Sequence, residues 1–206
     1  FSFRYFKESL AFGIKGHLSN IITFLNYRID LFLIAYFLND IQVGIYSIAV
    51  LLVERIWIVS QSVSTVLFAR VTNLSSDTEK NKFTSLAARN TLFITFLAGL
   101  ILVFLSYWII PLLFGDEFSD SILPFILMIP GVVIFSMSKI LSQDFTGRGS
   151  PEINTYIAII TTLLNIGLNL ILIPLYGIIG AAISTSISYI LDAVIKSFYF
   201  SWKNSI

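Results

Sequence analysis

The chain has 206 residues, 56% hydrophobic and only 12% charged, with a mean hydropathy of +0.87 and a formal net charge of +1. Soluble domains carry about 25% charged residues, so the composition describes an all-α polytopic membrane protein, and the near-neutral charge gives no ground for nucleic-acid binding. The lack of cysteine excludes thiol catalysis, disulfides and cysteine-ligated metal, and a single histidine, His17, is too few for a histidine metal cluster.

A helix needs about 20 apolar residues to cross the hydrocarbon core of a bilayer. Six runs qualify, at 10–38, 41–70, 90–114, 120–143, 153–174 and 178–202, and they predict a six-transmembrane-helix bundle. The first two spans form a hairpin with a tight turn near Asn39-Asp40. A polar stretch at 71–89 separates them from the other four. Gly115 with Asp116 and Glu117 marks the next break, Gly147 to Pro151 the one after, and Pro174 with Gly177 brackets the last turn. Eleven of the thirteen lysines and arginines fall on one side of this layout, and acids (Asp40, Asp116, Glu117, Asp120) fall on the other. By the positive-inside rule both termini are cytoplasmic, in a multi-pass protein of the cell (inner) membrane. The chain opens on Phe1 with neither an initiator methionine nor an evident signal peptide, and is expected to be a portion of a longer protein.

Four charges lie inside apolar runs: Arg28, Asp30, Glu54 and Arg55. A charge at the bilayer centre costs about 2.5–3.5 kcal/mol on insertion scales, so such groups face a bundle interior or an aqueous cavity and pair there. At about 1.5 Å per residue, Arg28 lies roughly 15 Å and Asp30 roughly 12 Å from the outer turn, and Glu54 and Arg55 roughly 20 Å. Pairing of Arg28 with Glu54 is therefore the preferred expectation. Asp192, at a depth of about 20 Å in the last span, matches Arg55, although Lys196 one turn away competes for it. Arg28 and Asp30 point roughly 160° apart on their helix. Asp30 shares a stripe with Gly13, Gly16, Asn20, Thr23 and Tyr27, and Arg28 one with His17, Ile21 and Phe24. Ser47, Glu54 and Gln61 recur every seven residues, continued by Thr65. The functional reading of these groups is a charged, water-filled path; the alternative is interhelical ion pairs that fix packing. Two arginines against two acids nearly cancel.

Other marked positions carry weaker signals. Gly180, Ser184, Ser188 and Asp192 repeat every four residues, a spacing that lets helices approach closely. Asn165 and Asn169 share a face and suit either helix–helix hydrogen bonding or contact with a sugar hydroxyl. Pro130-Gly131 predicts a kink in the fourth span. His17 suits helix packing better than a proton relay. No Gly-Lys-Ser/Thr phosphate loop and no nucleophile–base constellation occurs, so neither a cofactor nor an enzyme activity is expected.

Several stretches, in order and spacing, resemble polysaccharide-type lipid flippases of the multidrug/oligosaccharidyl-lipid/polysaccharide exporter superfamily. They are 26–30, 33–38 and 43–49 in the first hairpin, Leu67-Phe68-Ala69-Arg70-Val71, Leu113 to Phe118, Gly147 to Pro151 and Leu170 to Ala182. The resemblance is to the C-terminal half, so it implies one lobe of a two-lobe flippase whose N-terminal lobe is missing here. It implies a substrate, an undecaprenyl-pyrophosphate-linked oligosaccharide, flipped for O-antigen, capsule or exopolysaccharide synthesis. It implies polysaccharide polymerase and other glycan-assembly machinery as partners. It assigns Arg55 and Arg28 to the lipid pyrophosphate and Glu54, Asp30 and Asp192 to ion coupling or pairing, with Gln61, Asn165 and Asn169 along the path or in packing. A multidrug or small-metabolite antiporter of the same superfamily and a non-transporting scaffold for glycan assembly are the competing readings.

Overall fold

The structure, a computed structural model, describes Phe24 and residues 27–204. His17, Gly13, Gly16, Asn20, Ile21 and Thr23, and with them most of the first expected span, lie outside the described residues. Helix α1 covers 27–37, and α2 (Asp40–Glu54) follows directly. The expected turn is closed by Asn39, whose Oδ1 accepts the Gln42 N–H at 3.0 Å and so caps α2.

The second expected span, 41–70, is not one helix. It breaks at Arg55–Ile56, and α2 and α3 (Trp57–Asn73) meet at an angle of 44°. Around the break the backbone bonds shorten to a three-residue step: Arg55 N–H to Leu52 O, Ile56 N–H to Val53 O and Ile58 N–H to Arg55 O, each at 3.2 Å. No glycine or proline stands there, so composition carried no sign of it.

Helix α4 (Asp77–Phe114) begins well before the expected 90. The polar stretch read as a loop is helical except at 74–76: Ala88 is buried with Leu67, Val71 and Ile140, Phe83 and Ala87 pack partly against them, and the buried Thr84 bonds to Asp144. Its apolar part is inside out relative to a soluble helix. Thr91, Thr95, Gly99 and Ser106 face the bundle, whereas Phe93, Phe96, Leu100, Phe104 and Leu112 are exposed. In lipid the apolar side chains gain nothing by hiding, and small residues let backbones approach. This pattern is what a bilayer-embedded helix needs.

A left-handed Gly115 (φ 105°) ends α4, a short 3-10 helix (Asp116–Ser121) turns the chain, and α5 (Ile122–Gly147) passes through the centre, packing on α2, α3, α4 and α6. Helix α5 continues through Pro130, where a kink was expected. Gly131 N–H instead donates to Ser186 Oγ at 3.0 Å, and a Cβ at Gly131 would stand 2.5 Å from Ser186 Cα. The glycine serves close approach between α5 and α6. Gly149 (φ 78°) then closes a Schellman turn, with Ser150 N–H on Phe145 O and Gly149 N–H on Thr146 O.

Helix α6 (Glu152–Asn204) is helical apart from Gly177 (φ 60°, ψ −140°). There the chain folds back: a Cβ on Gly180 would overlap the Leu172 carbonyl oxygen at 2.1 Å, contact impossible between residues eight apart in a straight helix. Gly180 carries the close approach read from the four-residue spacing, and the Ser184 and Ser188 hydroxyls each donate to the carbonyl four residues back.

Near the far end of the bundle a polar clasp joins three helices. Arg148 donates through Nε to Asp144 Oδ2 (2.8 Å), through Nη2 to Asn81 Oδ1 (2.7 Å) and through Nη1 to Asn204 Oδ1 (3.4 Å), and Asp77 stands 3.5 Å away. Thr84 Oγ1 donates to Asp144 Oδ1 at 2.7 Å. The all-α membrane bundle expected from composition is thus present. α4, Asp116–Gly147 and α6 are long and apolar enough to cross a membrane, as is the bent α2–α3 pair taken together.

Candidate functional site

The four intramembrane charges separate into three environments. Arg28 Nη2 donates to Glu54 Oε2 at 3.1 Å, the expected cross-hairpin pair, with side chains 34% and 25% exposed. Arg55, at the α2–α3 break, is exposed and has no ion pair or hydrogen bond through its side chain among the described residues. The break itself puts Arg55 outward. Asp30 is buried and forms no ion pair among the described residues; it accepts from the Tyr46 hydroxyl (2.7 Å), the Thr185 hydroxyl (3.3 Å) and Leu31 N–H (2.9 Å). Three neutral donors suffice to hold a carboxylate, so no cation is drawn in. The expected opposition of Arg28 and Asp30 holds in this sense: one reaches a cavity, the other the core between α2, α5 and α6.

Asp192 does not meet Arg55. It pairs with Lys196 one turn along α6 (2.7 Å) and accepts the Ser138 hydroxyl. The neighbour on the same helix wins because its geometry costs no displacement of a second helix. Asn165 and Asn169 are fully buried and bond to each other, Asn169 Nδ2 to Asn165 Oδ1 at 2.9 Å. Gln61 is exposed and borders both cavities described next.

Two cavities adjoin on this side of the bundle. One, of about 330 Å³, is lined by Arg28, Glu54, Arg55, Ile58 and Leu51. The other, of about 370 Å³, is lined by Asp192, Lys196, Ser142, Gln143 and Asn154. Tyr27, Gln61 and Lys139 border both. Lys139, one of the eleven basic residues that the positive-inside rule places on one side, lies within α5 at the wall between the cavities. Its position inside the fourth apolar run was the available signal. With Asp30 withdrawn and Lys139 and Lys196 added, the linings hold, among the described residues, four cations (Arg28, Arg55, Lys139, Lys196) against two carboxylates (Glu54, Asp192). The near-cancellation expected from sequence becomes a surplus of two positive charges. A larger cavity, of about 480 Å³, lies beside Gly177 with Gln42, Tyr107, Asp120 and Tyr176, and no cation lines it. Of these three cavities, the two that adjoin carry the cations among the described residues.

A surplus of cations in a low-dielectric wall attracts anions, and guanidinium groups suit phosphate oxygens in particular. The family described as polysaccharide biosynthesis protein matches residues 1–123, more than half of the chain. The chain belongs to that family. Curated relatives similar to this chain include one from Haloferax volcanii and one from Staphylococcus aureus. The probable low-salt glycan biosynthesis flippase Agl15 of Haloferax volcanii is 28% identical over 204 residues, 97% of this chain and 41% of the relative. The capsular polysaccharide biosynthesis protein CapF of Staphylococcus aureus is 26% identical over 199 residues, 95% of this chain and 50% of the relative. This polysaccharide biosynthesis chain thus spans half or less of the curated relatives it matches. Its fold is that of the lipid II flippase MurJ in its inward closed conformation, with a TM-score of 0.83 at 22% identity over 97% of this chain and 44% of MurJ.

Proposed function

We propose that the chain is one six-span lobe of a two-lobe flippase that carries a lipid-linked oligosaccharide, joined to undecaprenyl through a diphosphate, from the cytoplasmic to the outer leaflet of the cell membrane by alternating access. Both ends of the lobe are cytoplasmic in this reading, and the second lobe supplies the facing wall. The flipped unit feeds O-antigen, capsule or exopolysaccharide assembly. The observation that carries the reading is the surplus of two positive charges on the adjoining cavities. A diphosphate head needs cations along its way, whereas the lipid tail stays in the bilayer. The same surplus speaks against an antiporter for cationic drugs, which calls for a free acid in the cavity. Of the three acids considered for ion coupling, Glu54 and Asp192 are bound to Arg28 and Lys196, which leaves Asp30 as the acid without a cationic partner among the described residues.

The test places Arg28→Ala and Arg55→Ala separately in the full-length gene, with surface polysaccharide and accumulated lipid-linked precursor as readouts. We expect export to fall and precursor to accumulate, with partial rescue by Arg→Lys. Normal export in both variants at normal protein level would sink the reading and favour a scaffold.

A further inference from the structure

The cations of the paired cavities differ in what holds them. Arg28 has Glu54 and Lys196 has Asp192, but Lys139 has no carboxylate among the described residues. Its Nζ stands 4.1 Å from the ring centre of Trp57, 5.2 Å from that of Tyr27 and 5.5 Å from that of Phe135. Its side chain makes one hydrogen bond, to the Tyr27 hydroxyl, and that bond is long at 3.4 Å. The rings are themselves fixed, with Phe135 stacked on Tyr189 at 4.6 Å and Trp57 tilted against Phe135 at 5.6 Å. Ring faces attract an ammonium without neutralising it, and an ammonium has three donors to place. A half-buried lysine so held has donor capacity left for something that enters from either cavity. Lys196 approaches the same Phe135 ring at 5.8 Å, so two ammonium groups meet around one aromatic side chain.

We propose that Lys139 is a phosphate-binding residue in its own right. Its ammonium exchanges the cage of Tyr27, Trp57 and Phe135 for a phosphate or diphosphate group, and by walling both cavities it passes that group between the Arg28–Arg55 side and the Lys196 side. The inference rests on the reading of these cavities as a head-group path. The same chemistry could come from a prenyl diphosphate lipid or from free inorganic diphosphate. Trp57, beside the ammonium, is the built-in reporter.

The full-length protein in detergent is titrated with farnesyl diphosphate, farnesol and inorganic diphosphate, and the Trp57 emission is taken as the difference from a Trp57→Phe variant. Farnesyl diphosphate should change that emission and farnesol should not. Lys139→Met should weaken binding about tenfold or more, and Lys139→Arg should stay within about threefold, because a charge-assisted contact is lost in the first and kept in the second. An equal response to inorganic diphosphate assigns the site to the phosphate group alone; a response to farnesyl diphosphate only assigns it to the lipid head. Unchanged affinity in a folded Lys139→Met variant overturns the proposal. So does an unaltered Trp57 signal when the unmutated protein is saturated with both diphosphates, which covers the case of a variant that does not fold. Failure of the flippase reading is seen elsewhere, in normal export by Arg28→Ala and Arg55→Ala, and leaves this titration unaffected.

Discussion

The clasp around Arg148 and the cavity wall around Arg55 and Lys139 use the same residue types to opposite ends. In the clasp each nitrogen of the Arg148 guanidinium meets an oxygen, and the fully buried Asp144 has both oxygens occupied. In the wall, Arg55 has no side-chain partner among the described residues and Lys139 is held chiefly by ring faces. A charge whose donors are all placed contributes to one geometry. A charge left partly unplaced is available to a ligand, and the fold tolerates it only beside a cavity. The comparison separates charges that fix the fold from charges left open to a ligand without reference to any relative.

The largest expected effect is on the clasp. Arg148→Ala leaves the Asp144 carboxylate buried without its cation, and breaking a buried pair from one side costs about 3–5 kcal/mol. Thermal unfolding in detergent should show a large fall in midpoint, and an unchanged midpoint would remove the clasp from the structural side of the comparison. Next comes Gly131→Ala. Its Cβ would meet Ser186 backbone atoms, so α5 and α6 must separate, at a cost of about 1–3 kcal/mol typical of overpacking. A variant as stable as the parent would show that this contact gives more easily than its distances indicate. The smallest effect on stability belongs to Arg55→Ala, within about 0.5 kcal/mol because an exposed side chain without partners is removed. That variant should melt like the parent while losing export. A marked drop in its melting midpoint would move Arg55 to the structural class.

Much of this was legible in the sequence because it depends on length and depth. The apolar runs located the helices, and counting from the Asn39-Asp40 turn placed Arg28 opposite Glu54, as observed at 3.1 Å. What could not be read depended on neighbours in space. The Arg55–Ile56 break carries no glycine or proline, and the bend redirects Arg55 in a way that a straight-helix count misses. Asp30 found hydroxyls on Tyr46 and Thr185, 16 and 155 residues away, where a search for opposite charge looked only at arginines. Positive-inside reasoning assigns lysines near span ends to water, whereas three aromatic rings from α1, α3 and α5 hold Lys139 in the wall. The helical start of α4 was hidden by its polarity: a stretch with few apolar residues still forms helix when two or three of them are buried.

Gly177 has a consequence for parity. In the six-span reading proposed above, a reversal contained in a single residue leaves almost no loop for a protease or a labelling reagent to find, yet it determines whether the number of crossings is odd or even. Were the segment straight at that point, Lys196, Lys203 and the rest of the C-terminal arm would emerge on the other face of the bilayer. One residue without a side chain thus sets the sidedness of everything that follows it.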